Sequence, residues 1–150
     1  MIRKAKISDI FTIHSLINKF AKKDLMLARS LNELYENIRD FWVYEEKGKV
    51  LGCCALHISW EDLAEIRSLA VDERFQKRGI GSLLVKSCIE EAKSLGCKKI
   101  FVLTYIPEYF MRFGFKKIPH KSLPHKVWAE CINCPKFPNC KETALIKSSE

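Results

Sequence analysis

The sequence predicts one α/β domain built on a mixed, strongly twisted sheet flanked by helices. Three observations carry this. Segments of helical and strand period follow one another as strand, two helices, three strands, helix, strand, helix and two final strands. One strand candidate, KKIFVLTYI (98–106), is apolar in the way of strands covered on both faces. The length of 150 residues, with 47% hydrophobic and 29% charged residues, suits a single domain with a sizeable core.

The elements follow in order. MIRKAKI alternates loosely and reads as an edge strand. Ser8 or Asp9 then caps a helix whose apolar residues Ile10, Ile13, Leu16, Ile17 and Phe20 recur at helical spacing. Ser30 caps a second, short helix, with Glu33 three residues on as its capping-box partner. Two β-rich runs flank Lys47-Gly48, a hairpin turn. LAEIRSLAV (63–71) is the next strand, and Asp72 begins a turn. The helix GIGSLLVKSCIEEAKSLG ends at Gly96, a residue type suited to the position after a helix. After the apolar strand, Pro107 opens a short helix stopped by Gly114. FKKI and TALIK are two further strands, and the segment 119–142 between them, rich in Pro, Cys and His, is irregular. No internal repeat or low-complexity segment interrupts this order.

Bulk properties narrow the function. The formal net charge is +8, but Lys and Arg are interleaved with acids and aromatics do not alternate with basic clusters, so nucleic acid is not an expected partner. The apolar runs are too short to span a bilayer, so no membrane partner is expected. MIRKAKISDI has no apolar signal-like core, and a cytoplasmic location follows. Seven cysteines, an odd count, argue against a full disulfide framework. Cys53, Cys54, Cys88 and Cys97 lie in apolar or helical surroundings and read as buried free thiols.

The stretch RFQKRGIGSLLVKSCIEEAKSLG (74–96) puts Gly79 and Gly81 where a helix begins, although Gly is the costliest ordinary residue inside one. The first N–H groups of a helix lack intrahelical acceptors and carry the positive end of its dipole. Glycine lets a large anion approach that main chain closely. Lys77 and Arg78 add positive charge. A phosphate or diphosphate is the ligand group this pattern suits; a tight turn with close helix–sheet packing is the alternative. The pattern lacks the third glycine of a dinucleotide fingerprint and the Gly-Lys-Ser/Thr of a Walker loop.

QKRGIG (76–81), the preceding RSLAV and the downstream YFMRFGF together resemble the GNAT superfamily of acetyl-CoA-dependent N-acetyltransferases, over most of the chain from Val43 to Ile118. ARSLNELYENIRDFWV, AEIRSLAV, KKIFVLT and LPHKVWAECINCPKFPNC resemble, more narrowly, short stand-alone amino-acid N-acetyltransferases similar to N-acetylglutamate synthase. The resemblance implies a GNAT-type sheet with a splayed pair of parallel strands. It also implies acetyl-CoA as co-substrate. By motif position Lys77, Arg78, Gly79, Ile80, Gly81 and Ser82 would hold the diphosphate, with Gln76 shaping the loop. Leu69, Ala70 and Val71 would pair with the pantetheine arm as with an added strand.

The chemistry implied is attack of a free amine on a thioester. Glu65, near the expected splay, is the candidate general base, and a surface carboxylate paired with Arg67 or a Lys is the alternative reading. The Leu69 amide is the candidate oxyanion donor. Many superfamily members carry a Tyr four residues before the Gly of the G-F pair; here that residue is Phe110. Tyr109 is expected to point elsewhere on its helix, and Tyr105 is the other phenol nearby. A dicarboxylic amino acid needs cations, and Arg29 and Arg67 are the candidates, with Ser30 as a helper or simply a helix cap. The resemblance implies acetylation of the α-amine of an amino acid, with L-glutamate as the acceptor and arginine biosynthesis as the pathway. Acetylation of another small amine or a peptide N-terminus, and a non-catalytic acyl-CoA-binding regulator, are the alternatives. The expected partners are the two small substrates, with a homodimer left open. No separate kinase-like domain is read in the chain, so the regulation such a domain provides is not expected.

Cys131, Cys134 and Cys140 form a C-x-x-C knuckle with a third thiol, which His120 or His125 would complete as a zinc site. A disulfide and three reduced thiols are the other readings, and no metal ligand is assigned. The segment is expected to fold over the active site or cap the core.

Overall fold

The computed structural model describes residues 1–123 and 142–149. The strands are β1 (Ile2–Lys4), β2 (Phe41–Glu46), β3 (Lys49–Trp60), β4 (Leu63–Val71), β5 (Lys99–Thr104), β6 (Lys116–Ile118) and β7 (Thr143–Ser148). They form one seven-stranded sheet in the order β1-β2-β3-β4-β5-β7-β6. Neighbours are antiparallel except β4 and β5, the one parallel pair among the described residues. This is the mixed α/β sheet that the sequence predicts.

Local chemistry explains the elements. At the β2–β3 turn both Lys47 (φ 51°) and Gly48 (φ 78°) are left-handed, which is the backbone a two-residue hairpin with right-handed strand twist requires. Two helices, α1 (Ile10–Ala21) and α2 (Leu31–Glu36), set Ile13, Ile17 and Leu34 against Phe41, Val43, Cys53 and Ala70 on one face of the sheet. The helix α3 (Ile80–Ser94) sets Leu84, Val85 and Cys88 against Cys54, Leu56, Ile66 and Ile100 on the other. The alternation Cys53/Cys54 and Ala55/Leu56 between the two clusters is the period-two pleat of β3. Each large aliphatic side chain so buried contributes about 1.5–3 kcal/mol. Cys53, Cys54, Cys88 and Cys97 are buried free thiols, as their surroundings predict.

The caps divide into one agreement and one correction. Ser30 Oγ accepts the Glu33 N–H at 3.1 Å and Glu33 accepts the Ser30 N–H at 3.3 Å, the expected capping box. At α1 neither Ser8 nor Asp9 makes a side-chain cap. Asp9 accepts instead from the Lys6 N–H (2.7 Å) and from both Nη atoms of Arg3 (2.8 and 3.0 Å), because a one-turn 3-10 helix over Ile7–Asp9 leads straight into α1. The Arg3 guanidinium holds the Asp9 carboxyl below its ordinary range. At the far end of α3, Gly96 (φ 84°) donates to the Lys93 carbonyl and Cys97 to that of Ala92, closing the helix in a Schellman motif.

One irregularity positions the site. Parallel pairing joins Leu63 to Lys99, Ala64 to Ile100 and Glu65 to Phe101, and stops there. Beyond that point β5 continues beside β7 up to the Thr104–Thr143 pair, while β4 runs on beside β3 to Val71. The parallel strands therefore part at Glu65, as a splayed pair. Among the described residues no helix is long and apolar enough to cross a membrane.

Candidate active site

The parting of β4 and β5 opens a cleft of about 680 Å³ between the end of β4 and the short helix α4 (Pro107–Met111). Leu69, Ala70 and Val71 form its β4 wall. Gln76, Lys77, Gly79, Ile80, Gly81 and Ser82 close its end. Tyr105, Tyr109 and Arg112 face them. The residues that the motif assigns to cofactor binding thus meet in one cleft, with one exception. Arg78 does not line it; its guanidinium faces Glu46 with contacts of 3.1 and 3.2 Å.

The loop into α3 is built by backbone geometry. Lys77 (φ 65°) and Gly79 (φ 83°) are left-handed, and Gln76 Nε2 donates to the Val71 carbonyl at 3.0 Å, tying the loop to the end of β4. The first intrahelical bond runs from the Leu83 N–H to the Gly79 carbonyl. The N–H groups of Ile80, Gly81 and Ser82 precede that ladder and need an acceptor from outside the helix. Their place at the cleft end suits an anion the size of a diphosphate.

A second cavity of about 130 Å³ meets this cleft at Leu25, Met26, Leu69, Tyr105 and Ile106, which line both. Glu65, Arg67 and Arg29 all line it. Glu65 is not a surface carboxylate: it is 8% exposed, and Arg67 Nη1 lies 3.6 Å from its Oε1. Arg29 comes from the loop between α1 and α2. Asn18 of α1 fixes that loop, donating to the Arg29 carbonyl at 3.0 Å and accepting its N–H at 3.3 Å. The Arg29 guanidinium also meets Glu33 at 3.2 Å. Ser30 lines neither cavity and serves as the α2 cap.

Leu69 stands at the junction because β4 bulges there. Register runs from Ala55–Arg67 to Cys53–Ala70, so Ser68 and Leu69 oppose the single residue Cys54. Ser68, the first of the two, is left-handed with φ 58°, the backbone of the G1 form of bulge. The Cys53 thiol donates to the Ser68 carbonyl at 3.4 Å.

The phenols correct one expectation. Phe110 is 3% exposed and packs into the core with Phe115. Its neighbour Tyr109 does not point away: it enters the cleft, and its Oη lies 2.7 Å from where a Cβ on Gly81 would stand. The reason is helical geometry. With Phe110 drawn into the core, the residue before it is turned about 100° round the short helix, toward the start of α3. Burial pushes the Tyr109 phenol up from its ordinary range, so at neutral pH it is a donor. No local sequence pattern marks Asn18, and the i, i+3 spacing of Arg112 from Tyr109 is the one sequence signal for Arg112.

His120 is described, and its Nε2 meets the Glu142 carbonyl at 2.6 Å. His125, Cys131, Cys134 and Cys140 lie outside the described residues. Among the described residues no group of three or more His, Cys, Asp or Glu side chains could hold a metal.

Comparison with known proteins places these features in context. The pattern of the acetyltransferase (GNAT) family matches residues 7–115. The chain is 42% identical over 147 residues to an uncharacterized N-acetyltransferase of Chlorobaculum tepidum, covering 98% of this chain and 95% of that one. It is 39% identical over 133 residues to an amino-acid acetyltransferase of Mycobacterium tuberculosis, covering 87% of this chain and 76% of that one. Its fold matches a crystal structure of N-acetylglutamate synthase from Neisseria gonorrhoeae complexed with coenzyme A and N-acetyl-glutamate, with a TM-score of 0.91 and 28% identity. The match takes in 100% of this chain and spans 35% of that one.

Proposed function

The chain belongs to the acetyltransferase (GNAT) family and is an acetyl-CoA-dependent amino-acid N-acetyltransferase; we propose that its acceptor is L-glutamate, which gives N-acetylglutamate and implies a place in arginine biosynthesis. The observation that carries this reading is the junction at Leu69. There a long cleft ending at the start of α3 meets a small cavity lined by Glu65, Arg67 and Arg29. The Neisseria gonorrhoeae synthase, solved with coenzyme A and N-acetyl-glutamate, supports the choice of acceptor.

When bound, acetyl-CoA supplies the acetyl thioester. The first-turn amides of α3 hold its diphosphate. Main-chain groups of β4 beyond Glu65 have lost β5 as a partner, and they take the amides of the pantetheine arm as a strand would. An α-amine has a pKa of about 8, so much of it carries a proton at neutral pH. Glu65, within the acceptor cavity, accepts that proton. Arg29 and Arg67 receive the two carboxylates of the acceptor, and Arg67 orients Glu65. The Leu69 N–H, presented by the bulge, faces the carbonyl oxygen as charge develops on it. A free thiol has a pKa of about 8.5, so the CoA thiolate can depart without an adjacent acid.

The test is thiol release from acetyl-CoA against a panel of amino acids. Glutamate is expected to give the highest kcat/KM, with the product carrying the acetyl group on its α-nitrogen by mass spectrometry. A preference for glutamine or a neutral amino acid overturns the acceptor assignment. Release at the blank rate with every amino acid overturns the enzymatic reading.

A further inference from the structure

Among the described residues, Arg3, Arg29, Arg67, Arg74 and Arg78 each face a carboxylate. Arg112 makes no ion pair among the described residues, and it lines the cleft where α3 begins. Two aromatic faces hold its guanidinium instead. The Cζ atom stands 5.0 Å from the Tyr109 ring centre and 5.9 Å from that of Phe113. Its Nη2 reaches Ser82 Oγ at 3.4 Å. Ser82 is the third residue of α3, so the guanidinium lies beside the first-turn amides. Tyr109 closes the same corner, its Oη 2.7 Å from where a Cβ on Gly81 would stand.

We propose that Arg112 and Tyr109, on and just after α4, form the side-chain half of the diphosphate cradle, opposite the main-chain half at Ile80, Gly81 and Ser82. This rests on the reading of the cleft as the acetyl-CoA site. The motif position would give the cationic role to Arg78, but Glu46 takes that charge. Arg112 offers an unneutralised guanidinium whose planar fork matches two phosphate oxygens. Stacking on Tyr109 and Phe113 sets its rotamer before the ligand arrives, so little side-chain freedom is lost on binding. Because the contact to Ser82 places Arg112 at the helix start, the group it reads is the diphosphate rather than the 3′-phosphate. A protonated Tyr109 donates to the same group or to Ser82.

The experiment compares wild type with Arg112→Gln on three acyl donors, following thiol release at saturating acceptor. For acetyl-CoA, KM is expected to rise on the order of tenfold, the scale of one charge-assisted hydrogen bond, with kcat changed less than twofold. Acetyl-dephospho-CoA keeps the diphosphate, and its KM is expected to rise by the same factor. S-acetyl-pantetheine has no phosphate, and the two proteins should use it equally. Three results would overturn the proposal: an unchanged KM for acetyl-CoA, a penalty that vanishes with acetyl-dephospho-CoA, or a larger loss in Arg78→Gln than in Arg112→Gln. A wild-type protein without saturable dependence on acetyl-CoA would instead overturn the parent reading, and would do so before any variant is made.

Discussion

A carboxylate that is 8% exposed with one arginine beside it has two plausible occupations, structural partner and proton acceptor. They separate on Glu65→Gln, which keeps shape and hydrogen bonding but removes basicity. As a general base, Glu65 contributes roughly 10²–10⁴ in rate, so kcat should fall by that factor while both KM values stay within a few-fold. The pH–rate profile should then follow the acceptor amine alone. An unchanged kcat with a raised acceptor KM would assign Glu65 to orienting Arg67 only. At this scale position is legible where a motif fixes it: Gln76, Gly79 and Gly81 all line the cleft end. It is not legible where a distant partner decides. Arg78 is drawn off by Glu46, 32 residues away in the chain, and whether Tyr109 or Phe110 faces the core depends on how α4 sits on the sheet.

Elements bring those residues together through irregularity more than through regular pairing. The bulge at Ser68 sets Leu69 at the junction of the two cavities, and a left-handed non-glycine residue costs about 1–2 kcal/mol. Ser68→Gly removes that steric penalty and is expected to keep stability within about 0.5 kcal/mol, since glycine's larger unfolded-state entropy offsets the gain. Ser68→Val puts a β-branched residue where φ is positive. It is expected to lose about 1–2 kcal/mol in denaturant unfolding, with kcat falling more than KM rises, because Leu69 shifts with the strand. A valine variant with full stability and kcat would show that the bulge does not place the amide. The regular features were readable in advance because each has a local cause: the Ser30–Glu33 capping box, the Lys47-Gly48 turn, Pro107 opening α4 and Gly96 closing α3. The bulge was not, because nothing about serine marks a position of positive φ, and the Asp9 carboxylate was not, because its partner Arg3 sits on the sheet edge.

The whole molecule places helices on both faces of a sheet that splits along part of one seam. Core packing secures both sides of the split: α1 and α2 cover one face and α3 the other, while β7 pairs with the far edge of β5 along its whole length, from Lys99 to Thr104, and β3 stays with β4 to Val71. Alternating strands and helices made the fold class legible. The strand order was not, since β7 lies between β5 and β6 only because residues far apart in sequence pair there. On the proposed function, the open seam and the start of α3 hold acetyl-CoA by main-chain groups. Amide hydrogen exchange with and without saturating acetyl-CoA tests it most directly. Slower exchange is predicted at residues 79–82 and along the unpaired side of 66–71, with the edge strands β1 and β6 unchanged. Protection elsewhere, or none at those amides under saturation, would contradict the account.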